Sequence, residues 1–487
     1  MTYRQLLKGN TDFRRLWIGQ VVSEIGDWLN NIAVLALTFE LAGVRRQGVA
    51  LAAYALARHL PLFFFGPVAG VVVDRIDRRR VMIWADMARA VLALGFIIAG
   101  SFAKLSAIYV VGALLFSVSA FFNAAKRAAI PNITRGHDEL LSANALSAST
   151  TAATIAVGSA LGGVIATFAG RNTVFYINAF TFLVSAEMIR RIRSHTSEQR
   201  STVVPQREGE QAKIERVVDS KALNANTVSR MENRIVPLEI AEPETVATAA
   251  STFSRSNSFV DSLRRANTEF REGLRYVKSK RMLASIFIVA AGWGLGNGVA
   301  RALYSIFGAR LGAATVAGWV ARPVDFGISI LFIAMGVGGV IGAPIARRFN
   351  KASGDELGGR MGRSMVFDGC GLALFSFMPT LWTAALVLTA REANFAIWWT
   401  AQQTIMMSRT EDRYRGRVFA SYETLTTLMM VGSMLAAGAA ADVYGIRIVA
   451  GTGGVVIALS GLLWFALQRR KRRANNLSAV DSEEISA

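Results

Sequence analysis

Gly70-Val71-Val72-Val73-Asp74-Arg75-Ile76-Asp77-Arg78-Arg79-Arg80 is the stretch on which the fold turns. It is a short basic segment with a long apolar run on either side. Residues 50–73 hold only Arg58 and His59 as basic or acidic residues, and Val81 to Gly100 holds only Asp86 and Arg89. Each run is long enough to cross a hydrocarbon core of ~30 Å. Leu105 to Ala125 and Val449 to Leu467 read the same way. In lipid every backbone N–H and C=O must be satisfied internally, so runs of this length are helices. A β-barrel would show segments of about ten residues with alternating polarity, and the sequence has none.

Composition agrees. The chain has 487 residues, of which 52% are hydrophobic and 18% charged, with a mean hydropathy of +0.36. Soluble domains carry about 25% charged residues. A net charge of +20 would suit a nucleic-acid partner, but the basic residues sit in short clusters between apolar spans, as in a polytopic membrane protein. Lipid is therefore the expected partner and nucleic acid is not. The lone Cys370 lies in an apolar span as a small packing residue and forms no intrachain disulfide. Three scattered histidines give no metal site. Glu24 and Asp27 in the first span argue against a cleavable signal peptide.

Windows of about 19 residues place spans near 14–41, 50–73, 81–101, 105–125, 143–168 and 172–190, then near 282–308, 325–346, 364–380, 382–406, 418–441 and 446–467. The expectation is an all-α membrane protein of twelve transmembrane helices. Residues 1–190 form one six-helix bundle and 282–468 the other. Between them, 191–258 is polar, with little periodicity, and is expected to be a disordered cytoplasmic loop. Residues 259–281 carry an apolar stripe (Phe259, Leu263, Ala266, Phe270, Leu274, Val277) opposite Arg264, Arg265, Arg271, Arg275 and Lys278, the pattern of an amphipathic interfacial helix. Residues 469–487 are a basic tail.

Orientation follows from the short connections. One side holds Arg4, Lys8, Arg14 and Arg15, then Arg75 and Arg78 to Arg80, then Lys126, Arg127 and Arg135. The second half adds Arg347, Arg348, Lys351, Arg360 and Arg363, then Arg409, Arg413, Arg415 and Arg417, then the tail. The other side offers Arg45, Arg46, Lys104, Arg171, Arg310, Arg322 and Arg447. The positive-inside rule puts both termini in the cytoplasm.

The halves repeat. Gly66 and Gly70 of the second span match Gly338 and Gly342 of the eighth, 272 residues on. Gly158-Ser159-Ala160-Leu161 of the fifth matches Gly432-Ser433-Met434-Leu435 of the eleventh, 274 residues on. Two nearly equal offsets, each joining span n to span n+6, indicate a parallel repeat.

The opening segment resembles the G-x-x-x-D-R-x-G-R-R loop of the major facilitator superfamily, with Asp77 in place of the second glycine. Gly70 would permit close helix contact, and Asp74 would cap a helix N-terminus or pair with a cation. Arg75, Arg78 and Arg79 would hold the loop in the cytoplasm. A plain positive-inside loop without a gating role explains the same residues. Other segments resemble the macrolide-efflux and enterobactin-exporter branch: Phe13-Arg14-Arg15-Leu16-Trp17 with Gly19-Gln20, Ser23 and Gly26-Asp27; Asp86 and Arg89; Ala143-Asn144-Ala145-Leu146; Leu161-Gly162-Gly163; and Arg415-Gly416-Arg417-Val418-Phe419-Ala420. Gly158-Ser159 stands where exporters of this superfamily often have Gly-Pro. The resemblance implies the major facilitator fold, two pseudo-symmetric bundles rocking by alternating access, and a cavity lined by the first, fourth, seventh and tenth spans. It also implies efflux by a monomer in a bacterial cytoplasmic membrane, with no cofactor beyond a proton gradient.

Ionisable residues inside a membrane cost roughly 2.5–3.5 kcal/mol each on insertion scales and are functional candidates by default. The first span holds Glu24 and Asp27 one turn apart, then Asn30 and Asn31. The fourth holds Asn123, the seventh Asn297 and Arg301, and the tenth Arg391, Glu392 and Asn394. At 1.5 Å per residue Asp27 lies about 20 Å from the cytoplasmic start of its helix, and Arg391 lies roughly 15 Å from the outer end of its own. Two carboxylates so placed do not both ionise cheaply. Glu24, Asp27 or Glu392 is therefore expected to carry a coupling proton, with Arg391 or Arg301 competing for the carboxylate. Asp86 and Arg89, three residues apart, read instead as a structural pair. Gly158, Gly162 and Gly163 are expected at helix-packing contacts. Trp398, Trp399, Met406 and Met407 could line an apolar pocket or pack elsewhere. Competing readings are an importer or lipid flippase on the same scaffold and a membrane sensor. No nucleotide-binding glycine loop or catalytic triad supports an enzyme.

Overall fold

The computed structural model describes residues 2–43, 45–193, 259–349 and 355–486. Residues 194–258, most of the expected central loop, lie outside the described residues. A short α1 (Tyr3–Gly9) precedes α2 (Thr11–Leu41), α3 (Gln47–Arg75), α4 (Arg78–Ser101), α5 (Leu105–Ile133), α6 (His137–Phe168) and α7 (Arg171–Arg190). Then come α8 (Phe259–Ser279), α9 (Arg281–Val316), α10 (Pro323–Phe349), α11 (Asp355–Ser376), α12 (Leu381–Arg409), α13 (Asp412–Tyr444) and α14 (Ile446–Ser486).

Eight of these, α3 to α6, α9, α10, α13 and α14, are long and apolar enough to cross a membrane. The helices α2, α7, α11 and α12 are long but more polar. On α2 and α12 the cause is the polar set already named, Glu24, Asp27, Asn30 and Asn31 on the first and Arg391, Glu392 and Asn394 on the second. The same residues that make these helices functional candidates dilute their hydropathy.

Helix ends depart from the apolar windows where hydrogen bonding outlasts apolarity. The α5 helix runs past Ala125 to Ile133 and includes Pro131 in its last turn, so Lys126 and Arg127 are helical rather than in a loop. The α14 helix continues through the basic tail to Ser486, because Lys, Arg, Ala and Leu are good helix formers.

In the first half α2 packs on α6 and α7, α4 on α5 and α7, and α3 on α5. In the second α9 packs on α13 and α14, α11 on α12 and α14, and α10 on α12. The second set is the first shifted by six long helices. The halves meet along α6–α10 and α3–α13, two seams that the same shift exchanges. The turns before α7 and α14 also correspond. Gly170 and Gly445, 275 residues apart in sequence, both have φ of +87°, a left-handed value that favours glycine.

Backbones come close along the seams. A Cβ on Gly336 would collide with Ala156, and one on Gly163 with Ser329. Gly158 and Gly162 instead face Ile25, Trp28 and Leu29 of α2 within the first half. The cross-half contacts gather toward the end away from α1, which we call the far end. There Arg171 bridges to Asp325, Arg310 donates to Gln47 at 3.1 Å, and Asp442 accepts from the backbone N–H groups of Gly48 and Val49 at 2.8 and 3.0 Å. Asp442 of one half thus caps the α3 N-terminus of the other, which has no side-chain cap of its own.

The α8 helix is fastened to the start of α13. Tyr276 stacks on Tyr414, Arg417 pairs with Glu272 at 2.9 Å, and Lys280 pairs with Glu411 at 3.3 Å. Its Arg271, Arg275 and Lys278 remain exposed. Cys370 is exposed on α11 rather than packed.

Candidate functional site

Three groups of polar residues lie inside the bundle. In the first half the two acids of α2 have separate partners. Glu24 accepts from Gln20 at 2.8 Å and Thr154 at 3.1 Å and faces Lys126 at 3.5 Å. Asp27 lies 3.8 Å from Arg89, which also bonds Asp86. The Arg89 guanidinium is held between the rings of Phe122 and Phe182, at 4.0 and 4.4 Å. So Asp86 and Arg89 are more than a local pair, because Arg89 couples α4 to α2. The cations facing Glu24 and Asp27 come from their own half, not from Arg391 or Arg301.

In the second half Arg391, 2% exposed, is the hub. Its Nε lies 3.0 Å from Asp368 Oδ1 as an ion pair, and its Nη2 donates to Asp368 Oδ2 at 3.3 Å. Nη1 donates to Glu392 at 3.1 Å and to the Tyr304 hydroxyl, while Nη2 also reaches Asn297 Oδ1 at 3.4 Å. Asn394 pairs with Ser364. Asp368 was not among the expected site residues; its place in an otherwise apolar span is the signal that could have found it.

Between the halves is a cleft with about 550 Å³ of empty space, part of it open to solvent. Trp28, Asn31, Arg58 and His59 line it from α2 and α3; Arg301, Tyr304, Phe332, Met335 and Met434 face them from α9, α10 and α13. Arg58 donates to Asn31 and is flanked by Trp28 and Phe116, each ring 5.0 Å away.

Of the expected cavity residues, Asn31 and Arg301 line this cleft. Glu24, Asp27, Asn297, Arg391 and Glu392 do not; they belong to the ion clusters within the halves. Asn123 on α5 is half-buried and belongs to none of these groups. The fourth and tenth spans, α5 and α12, supply no lining residue to this cleft, and α3, α10 and α13 take their place. At the far end the two halves are tied together by Arg171 with Asp325, Arg310 with Gln47 and Asp442 with the α3 N-terminus. Trp398 and Met406 are buried, with Trp398 stacked on Trp293 at 4.5 Å, and Trp399 and Met407 are exposed; none of the four lines the cleft.

The basic segment ties the first half together at the α1 end. Arg78 donates to the Ala128 carbonyl at 3.2 Å and Arg79 to that of Arg190. Arg75 is exposed in the last turn of α3. The cap of α4 is Asp77, which accepts from Arg80 N–H at 3.1 Å, so the residue departing from the motif does what Asp74 was expected to do. Asp74 falls inside α3, and its side chain lies outside the described residues. A Cβ on Gly70 would meet open space, so Gly70 makes no close helix contact. Its repeat partner Gly342 packs on Ala393 of α12.

A family model described as the Major Facilitator Superfamily matches residues 16–433. BacE of Bacillus subtilis, named for bacilysin export, is 25% identical over 443 residues, 88% of either chain. The strain 168 BacE is 31% identical over 192 residues, so that match spans 45% of the relative's length. Macrolide efflux protein A of Streptococcus pyogenes is 37% identical over 75 residues, 15% of this chain and 18% of that one. Among solved structures, the nucleoside transporter NupG superposes with a TM-score of 0.64 at 11% identity, covering 93% of this chain and 99% of NupG. The peptide transporter POT bound to sulfate gives 0.62 at 11% identity over 95% of each chain. At that identity the likeness is one of fold.

Proposed function

Because this chain belongs to the major facilitator superfamily, a family of multi-pass membrane transporters, we propose that it exports amphipathic organic compounds by proton-coupled alternating access. It does so as a monomer in a bacterial cytoplasmic membrane, with twelve spans and both termini in the cytoplasm. The basic clusters at the α1 end support that orientation; the far end then faces outside, and the structure is closed to the exterior. Efflux is supported by relatives named for bacilysin export and macrolide efflux.

The observation that carries the coupling is the pairing of partly accessible acids with single cations. Glu24 and Asp27 keep 19% and 27% side-chain exposure beside Lys126 and Arg89. A carboxylate in that position gains a proton when its cation moves away and loses it when the cation returns. A shift of α2 against α4 and α5 within the first half, accompanying the rocking of the bundles, would change those separations. Glu392 beside Arg391 is the counterpart in the second half.

Proteoliposomes carrying the purified protein test this, with proton flux recorded against a panel of organic compounds. Glu24→Gln, Asp27→Asn and Glu392→Gln are each made singly. At least one is expected to abolish gradient-driven transport while leaving exchange of compound between the two sides. Full gradient-driven transport in all three variants would refute proton coupling through these acids.

A further inference from the structure

The cations inside the bundle divide into two sets. Lys126 faces Glu24, Arg89 faces Asp86 and Asp27, Arg171 faces Glu40 and Asp325, and Arg391 faces Asp368 and Glu392. Arg58 and Arg301 have no carboxylate within ion-pair distance among the described residues, and these two line the cleft. The lining includes no Asp or Glu. An arginine side chain stays charged at any physiological pH, and for Arg58, which is only partly exposed, going without a counter-charge is costly.

We propose that the cleft receives an organic carboxylate. Arg58 and Arg301 hold its anionic head, and Trp28, Phe332 and Met335 contact its apolar or aromatic body. This rests on reading the cleft as the transport site. The chemistry suits each part. A guanidinium offers donors in a planar fork that matches a carboxylate. Arg58 already spends one donor on Asn31, and its flanking rings fix the plane of the group, so little freedom is lost on binding. Arg301 is exposed to the cleft and makes no hydrogen bond among the described residues. Two positive charges in a lining without Asp or Glu also disfavour an organic cation, which would add like charge to the site. The selected solute is therefore an amphipathic anion, or a zwitterion whose carboxylate enters first.

Matched probes test this on the intact protein in nanodiscs, by isothermal titration: N-acetylphenylalanine against its carboxamide, and 4-phenylbutyrate against 4-phenylbutylamine. Each carboxylate is expected to bind at least about tenfold more tightly than its partner, the gain of a charge-assisted hydrogen bond. Arg58→Gln and Arg301→Gln should each remove about that factor, whereas Arg301→Lys, which keeps the charge, should retain most of it. Thermal unfolding of the variants separates lost binding from lost folding. Equal or tighter binding of the amide or amine overturns the inference, as does carboxylate binding that neither Gln variant weakens, or the absence of binding by both carboxylates. Gradient-driven transport of cations with no carboxylate preference would overturn it and leave the transporter reading standing. Absence of gradient-driven transport for every compound would strike the transporter reading itself.

Discussion

Replacing Arg171 by glutamine is expected to open the far end of the protein. Arg171 is the first residue of α7, set there by the left-handed turn at Gly170. Its Nε and Nη2 donate to both oxygens of Asp325 at 2.9 and 2.7 Å, and its Nη1 and Nη2 donate to both oxygens of Glu40 at 2.7 Å. Asp325 is fully buried and belongs to the other half. In the closed state Arg171→Gln leaves that carboxylate buried without its cation, a loss of about 3–5 kcal/mol for a buried pair. Glu40 is half exposed, so the low end applies. In the outward-open state water solvates the same groups and nothing is lost. At 1.4 kcal/mol per tenfold the equilibrium should move toward the open state by about a hundredfold. Asp442→Ala should move it the same way by less, since a cap contributes about 0.5–2 kcal/mol. A cysteine at Ser329, which is buried against Gly163 beneath this contact, reports the change in a Cys370→Ser background. Labelling by a membrane-impermeant maleimide should accelerate strongly. An unchanged rate in folded protein would show that Arg171 does not hold the end shut.

The second large effect belongs to Arg391. Arg391→Leu leaves Asp368, 2% exposed, and its neighbour Glu392 without their cation in the core of the second half. The expected destabilisation is about 3–5 kcal/mol, enough to deplete the protein from the membrane. Arg391→Lys should recover little, because an ammonium cannot reach Asp368, Glu392, Tyr304 and Asn297 at once as the guanidinium fork does. The double variant Arg391→Leu/Asp368→Leu should be more stable than Arg391→Leu alone, since one orphaned charge is removed with its partner. Thermal unfolding in detergent ranks the three. A single variant as stable as the parent would mean that the cluster is solvated rather than buried.

Much of the fold was legible because apolar runs and basic connections are local properties of sequence. The basic segment at 70–80 spans the junction of two long helices, with only Ile76 and Asp77 outside them, and the six-helix shift anticipated from Gly66 and Gly338 reappears in the packing. Helix ends were less legible. Lys126 read as a loop cation because hydropathy ends at Ala125, although the helix does not. That misplacement concealed the partner of Glu24. Pairing was the harder problem in general: Glu24 and Asp27 share a helix face, yet one meets α5 and the other α4. Nothing in their spacing says which neighbouring helix each will meet. The far-end contacts were hidden for the same reason, since Arg171, Asp325 and Asp442 lie in separate parts of the chain. Arg58, beside His59 in the second span, was visible as an intramembrane charge, but only the packing of α3 against α13 and α9 turns it into the cleft.

Alternating access about that cleft is tested most directly by electron-spin distance measurements on two labelled pairs. Lys104 and Arg447 report across the far end, and Arg80 and Arg348 across the α1 end; all four are exposed. Without ligand the far-end distance should be short and the α1-end distance long, matching the closed far end described above. Arg171→Gln, or a proton gradient with bound compound, should lengthen the first and shorten the second together. Distances that stay fixed under both conditions, or that lengthen at both ends at once, would contradict a rocking exchange of access between the two sides.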